Sequence, residues 1–175
     1  MNLYLRLVLL LITARLRPAI SLWDTCRTRF RVHPGDLDLL MHMNNGRYLT
    51  LMDLGRMDLM LRSGYWPAAK AQGWYPVVAG QSITFRRSLM LWDRFEICTR
   101  LLGTDERWIY LSQTFHRRGD VVADAVVRAC FKRKSGGTVP VQEVLALAEP
   151  MPAERVVPQW VLDWSRTSGA RENGV

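Results

Sequence analysis

One helical period, residues 47–63, stands between a single strictly alternating stretch and four more β-like stretches, and that order admits few architectures. Residues 25–32 read TCRTRFRV, with Cys26, Thr28, Phe30 and Val32 on one face and Arg27, Arg29 and Arg31 on the other, the pattern of a half-buried strand. His33-Pro34-Gly35-Asp36 breaks it. In the helical segment Tyr48, Leu51, Met52 and Leu59 recur at helical spacing, with Thr50, Asp53, Arg56 and Asp58 as a polar set. Asn44 or Asn45 is the natural N-cap, and Ser63-Gly64 stops the helix.

Beyond Gly73 the helical period vanishes, and strands are expected over residues 74–87, 94–102, 107–117 and 121–133. Gly103-Thr104-Asp105 and Arg118-Gly119-Asp120 supply turns between them, the latter a tight hairpin. The last strand is the clearest, with Val121, Ala123, Ala125, Val127, Ala129 and Phe131 on one face. Short helices are expected at 141–148 and 157–164, and the polar tail frays from Ser165. The class is therefore α+β: a mostly antiparallel sheet that can curl around one hydrophobic helix. One sheet with one helix leaves a sheet edge and a helix face open, so association of two copies is expected.

The chain has 175 residues, 49% of them apolar and 23% charged, which excludes disorder and suggests one globular core. Its three cysteines, Cys26, Cys98 and Cys130, lie far apart, arguing against a disulfide framework or a zinc site and for a reducing compartment, hence the cytoplasm. No H-E-x-x-H, P-loop or G-x-G-x-x-G is present, so no metal site is expected. The net charge of +8 attracts anions. Nucleic acid is disfavoured, because the arginines are spread along the chain with no zinc-finger or RNP-like string. Residues 3–14 read LYLRLVLLLITA, too short for a bilayer span, and their arginines follow the run rather than precede it as a secretory signal requires. A helix docked on the domain is preferred. The alternative is a helix in a membrane interface, giving peripheral membrane contact.

The string from Gly35 to Tyr48, GDLDLLMHMNNGRY, places carboxylates, an imidazole and two amides in a loop that opens a helix. Unpaired N–H groups at a helix N-terminus can polarise a carbonyl, and a nearby carboxylate can attack it or activate water. On the residues alone, Asn44 and Asn45 also read as cap and turn residues, Asp36 as a turn residue, and Asp53 as a solvent-facing or Arg56-paired carboxylate. His33 and His116 read as structural or surface residues, and the methionines between Met41 and Met60 as core filler.

D-x-D-x-x-x-H-x-N-N-x-x-Y, read from Asp36 to Tyr48 after a strand and opening a long helix, resembles the signature of hotdog-fold acyl-CoA thioesterases of the 4-hydroxybenzoyl-CoA thioesterase type. The strings from His42 to Leu49, Arg86 to Leu89 and Thr99 to Gly103 look most like thioesterase superfamily member six-like proteins. The resemblance implies a hotdog fold, an antiparallel sheet wrapped around one long central helix, with residues 1–23 an added N-terminal helix, 24–150 the hotdog domain and 151–175 a C-terminal extension. It implies hydrolysis of an acyl-CoA without a separate cofactor, by a homodimer or homotetramer. By position Asp38 matches the catalytic carboxylate and the Asn45 N–H the carbonyl donor, while His42, Asn44 and Tyr48 orient the loop. Some lineages use a helix carboxylate instead, which directs attention to Asp53 and Asp58. Arg86, Arg87 and Arg133, with Lys132 and Lys134, are candidate partners of the CoA phosphates. The departure is Met41, where the family commonly has Gly. That motivates the alternative of a non-catalytic acyl-CoA or lipid-binding module, whereas hydratase chemistry is disfavoured because Asp38 and His42 are one residue too close.

Overall fold

A computed structural model describes residues 3–169. Helix α1 (Leu3–Leu16) leads into strand β1 (Cys26–Arg31), a 3-10 turn at Pro34–Asp36, and the long helix α2 (Asn45–Arg62). Helix α3 (Tyr65–Ala71) precedes four strands: β2 (Trp74–Phe85), β3 (Arg94–Thr104), β4 (Ile109–Arg117) and β5 (Asp120–Arg133). Helices α4 (Val141–Ala146) and α5 (Gln159–Gly169) follow. The strands form one antiparallel sheet in the order β1-β3-β4-β5-β2. This is the expected α+β hotdog arrangement with an N-terminal helix.

The inward residues of β5, Ala123, Ala125, Val127, Ala129 and Phe131, are buried in one core with Tyr48, Leu51, Met52 and Leu59 of α2. Small side chains in the strand leave room for the helix. The β4–β5 hairpin turns at Arg118 and Gly119, with φ of 54° and 93°, and pairs Arg117 with Asp120. Two successive positive φ angles suit the right-handed twist of the flanking strands.

The helix approaches the sheet most closely at Gly55. A Cβ there would lie 2.9 Å from Thr99 Oγ1 and 3.0 Å from Gln113 Nε2. Both belong to a buried polar network, since Gln113 Nε2 donates to Met52 O and Thr99 Oγ1 at 2.9 Å each, and Gln113 Oε1 accepts from Arg56 Nη1 at 2.5 Å. Gly55→Ala is expected to lower the unfolding free energy by about 1–3 kcal/mol through overpacking, measured as a shift of the urea midpoint at unchanged slope.

The polar set expected on α2 needs correction. Asp53 is exposed, but Arg56 and Asp58 are buried at 8% and 0% exposure. Asp58 Oδ2 accepts from Arg17 Nη1 and Thr28 Oγ1, both at 2.7 Å, and Cys26 Sγ lies 3.5 Å away. The core therefore holds polar partners on the side of α2 that spacing alone assigns to solvent. Burial first, and the Asp58 charge second, push the Cys26 thiol up to about 11. Cys26 stays a protonated thiol at neutral pH and is a poor nucleophile.

Helix α1 docks as preferred. Arg6 is buried, forms an ion pair with Asp36, and donates to Arg31 O at 3.4 Å; Arg17, just after the helix, donates to Arg27 O at 2.5 Å. The two arginines thus bond carbonyls along the edge strand β1. Tyr4, Leu5, Val8, Ile12 and Leu16 remain exposed. Among the described residues no helix is long and apolar enough to cross a membrane.

The frayed tail expected from Ser165 is also corrected. Residues 165–169 complete α5, and buried Ser165 accepts from Arg128 Nη1 through its carbonyl at 2.6 Å and bonds Tyr110 Oη at 2.8 Å. Val157 and Val161 pack with Leu102, Tyr110 and Val126 in a second core. The remainder of the tail, residues 170–175, lies outside the described residues.

Candidate active site

Asp36 fixes the loop before α2. Its carboxylate, 1% exposed, accepts from the His33 N–H at 2.9 Å and from Arg6, and Arg47 Nε lies 3.8 Å from its other oxygen. Arg47 Nη2 also donates to Gly35 O at 2.8 Å. Asp36, which reads as a turn residue in the sequence, is therefore a buried anchor that ties α1 and the first turn of α2 to one loop. Neither Arg6 nor Arg47 stands out in the sequence as part of the site; the available signal is an arginine inside an apolar run, which demands a buried partner.

From this anchor the chain folds back on itself. The Asn44 N–H donates to Asp36 O, Leu37 bridges Met43, and the Asp38 N–H donates to His42 O at 2.9 Å. Asp38 thereby lies alongside the segment that feeds α2, opposite His42, three residues before Asn45. Asp38 Oδ1 accepts from Leu40 N at 2.9 Å and His42 N at 3.3 Å. Among the described residues Oδ2 accepts no hydrogen bond, and Asp38 is half-exposed.

Asn44 is the N-cap: its Oδ1 accepts from Gly46 N at 2.8 Å. The Asn45 N–H has no partner among the described residues and opens an 18-residue helix, where an unpaired donor carries the positive end of the dipole. Tyr48 is buried against Phe85 and Phe115, ring centroids 5.0 Å away in each case. Burial pushes its phenol up, so it stays protonated at neutral pH and serves as an anchor for α2 rather than a base. The His42 ring is half-exposed and makes no hydrogen bond among the described residues.

A second carboxylate lies farther along α2. Asp53 forms an ion pair with Arg56, one of the two arrangements their spacing allows, and both line an apolar cavity of about 300 Å³. Met57, Met60, Val77, Leu111 and Phe131 contribute to its wall. Eight residues separate Asn45 from Asp53, about 12 Å along the helix. Asp38 thus lies on the loop before the N-terminus of α2, and Asp53 lies near the middle of the helix. Asp58, the other carboxylate of the helix, is committed to Arg17 and Thr28.

Residues 32–164 match the thioesterase-like superfamily. The chain belongs to that superfamily. Over 164 residues it is 35% identical to Protein THEM6 of Xenopus laevis, spanning 92% of this chain and 77% of that protein. It is 32% identical over 103 residues to the long-chain acyl-CoA thioesterase FadM of Escherichia coli, spanning 58% of this chain and 78% of that one. A solved structure of YbaW, a probable thioesterase from Escherichia coli, matches with a TM-score of 0.66 and 26% identity, covering 76% of this chain and 99% of that chain.

Within this thioesterase-like chain, Met41 has φ of 61° and is 56% exposed at the tip of the Asp38 turn, beside fully exposed Leu39. The left-handed conformation that Gly adopts freely is imposed on a methionine. Met41→Gly is expected to raise the unfolding free energy by about 0.5–1 kcal/mol, the relieved strain exceeding the added freedom of the unfolded chain, as read from the urea midpoint. Of the candidate phosphate partners the three arginines are engaged, Arg86 with Asp124, Arg87 with Asp120 and Arg133 with Glu143, at 2.6, 2.5 and 2.8 Å, whereas Lys132 and Lys134 have no ion pair among the described residues. His33 is an edge-on neighbour of Trp92, and His116 bonds Thr114 at 2.9 Å; neither approaches the Asp38 turn through these contacts.

Proposed function

We propose that the chain hydrolyses the thioester of an acyl-CoA, releasing CoA and a free carboxylic acid, with Asp38 as nucleophile or general base. The observation that carries this reading is the Asp38 carboxylate, held through Oδ1 with Oδ2 open, on the same loop as the unpaired Asn45 N–H. The thioester carbonyl oxygen accepts from the Asn45 N–H, where the helix dipole stabilises the charge that develops on it. Asp38 Oδ2 then either takes a proton from water as the water oxygen bonds the carbonyl carbon, or bonds that carbon itself. In both routes the C–S bond breaks and CoA leaves as the thiolate. In the second, an acyl-aspartyl anhydride forms, which water cleaves to regenerate the carboxylate.

His42, Asn44 and Tyr48 position the loop. Arg86, Arg87 and Arg133 meet the CoA phosphates by exchanging surface carboxylates, a change of about 1 kcal/mol or less per pair. Edge strand β2 exposes Tyr75, Val78 and Phe85, and a second copy covers it in a homodimer or a dimer of dimers. The protein works in the cytoplasm, with the exposed apolar residues of α1 available for peripheral membrane contact.

Asp53 offers a second reading, because it lies with Arg56 at an apolar cavity able to take part of an acyl chain. The test of the activity itself is thiol release across short, long and aromatic acyl-CoAs. Saturable turnover of at least one is expected; saturable binding of acyl-CoA without thiol release would make the chain a binding module instead.

A further inference from the structure

We propose that the groove between α1 and the β1–β3 edge is a separate binding site for a phosphate-bearing ligand, independent of thioester hydrolysis. The groove has a volume of about 1210 Å³ and is lined by eight arginines but only one carboxylate, Glu96. Glu96 is already paired with Arg27 at 2.6 Å. Arg29, Arg94 and Arg118 line the same groove, and among the described residues none of their three side chains has an ion-pair or hydrogen-bond partner, although Arg29 faces Glu96 across the β1–β3 register. This cluster therefore differs from Arg86, Arg87 and Arg133, each of which has a carboxylate beside it.

The arrangement costs stability. Arg31 and Arg94 are direct cross-strand partners, a like-charge pairing that disfavours the β1–β3 register. Arg118 occupies a positive-φ turn position that Gly or Asn fills with less strain. Behind them, the Arg6 side chain is 4% exposed, and its Nε is buried without a hydrogen-bond partner. An anion in the groove would offset the repulsion between Arg31 and Arg94. Guanidinium forks bind oxyanions in bidentate geometry, carboxylate and phosphate alike, and several unpaired guanidiniums along one groove suit the higher charge of a phosphate ester better than a halide or a single carboxylate.

The groove follows β1 for six residues, about 20 Å, so it exceeds one phosphate group. Leu9, Leu10, Phe30 and Phe95 supply apolar surface within it. A phosphate ester attached to an organic body fits both features. Two sources share that chemistry: a soluble organophosphate such as CoA, and the headgroup of an anionic lipid beside the exposed apolar side of α1.

The test titrates the full chain at 0.15 M salt with inorganic pyrophosphate, with CoA, and with phosphatidylcholine vesicles lacking or containing phosphatidic acid. Three proteins are compared: the natural chain, Arg29→Gln/Arg94→Gln, and Lys70→Gln/Arg166→Gln, which removes the same charge from exposed positions outside the groove. At least one phosphate probe is expected to bind the natural chain, with affinity at least 10-fold weaker in the groove variant and within 2-fold in the control. Stronger response to CoA identifies the soluble source, and stronger response to phosphatidic acid vesicles the lipid source. Absence of binding to every probe at millimolar phosphate, or equal losses in both variants, overturns the proposal. Binding is read without turnover, so a chain that hydrolyses no thioester leaves the result intact.

Discussion

Asp58→Ala is expected to lower the unfolding free energy by about 3 kcal/mol, well beyond what breaking an exposed ion pair costs. The native carboxylate is fully buried and receives Arg17 and Thr28 at 2.7 Å each. Its removal leaves the Thr28 hydroxyl with only the weak acceptor Cys26 Sγ, 3.9 Å away, and frees the guanidinium of Arg17. Arg17 is 32% exposed and can turn toward water, which places the expected loss at the lower end for a broken buried pair. The partners come from three distant segments: the residues after α1, strand β1 and the C-terminal half of α2. Their loss therefore loosens α1 from the body of the domain as well. Urea unfolding followed by tryptophan fluorescence measures the effect, with Asp120→Ala as the comparison, because the exposed Arg87–Asp120 pair should cost under about 1 kcal/mol. Equal losses in the two variants would show that the Asp58 cluster does not hold these segments together.

The difference between Asp58 and Asp120 also shows what sequence patterning can and cannot provide. Alternation locates β1 and β5, and the Arg118-Gly119 turn between β4 and β5 follows from residue type, because these are local properties of the chain. Helix α2 is legible from the spacing of Tyr48, Leu51, Met52 and Leu59. Spacing gives an angle around the helix axis but not what faces that angle. Thr28, Thr99 and Gln113 point inward from three different strands, and their polar groups make a buried environment for Arg56 and Asp58. Thr28 on the inward face of β1 is the one local hint. Helix α3 escapes a periodicity reading because its seven residues, between Gly64 and Gly73, complete too few turns to show a period. The Asp38–Tyr48 loop is legible as a motif, whereas its anchor is not: Arg6 and Asp36 are 30 residues apart, and only the docking of α1 brings them together.

The second large effect concerns the reaction. Asp38→Asn keeps the Oδ1 acceptor that closes the turn onto Leu40 and His42, and removes the charge and basicity of the carboxylate. Folding should therefore be retained, while kcat for the preferred acyl-CoA falls by about 10²–10⁴-fold, the range for loss of a positioned base; loss of a nucleophile lies at the upper end of it or beyond. Asp53→Asn removes a carboxylate that is 67% exposed near the middle of α2, where it neutralises Arg56. Its effect should fall on KM or stability, with kcat within a few-fold of the natural chain. Thiol-release kinetics of the natural chain, Asp38→Asn and Asp53→Asn, each shown to be folded by its urea midpoint, compare these two carboxylates directly. A collapse of kcat confined to Asp38→Asn is the predicted result; full activity in Asp38→Asn with a collapse in Asp53→Asn would contradict the assignment of the reaction to the loop that opens α2.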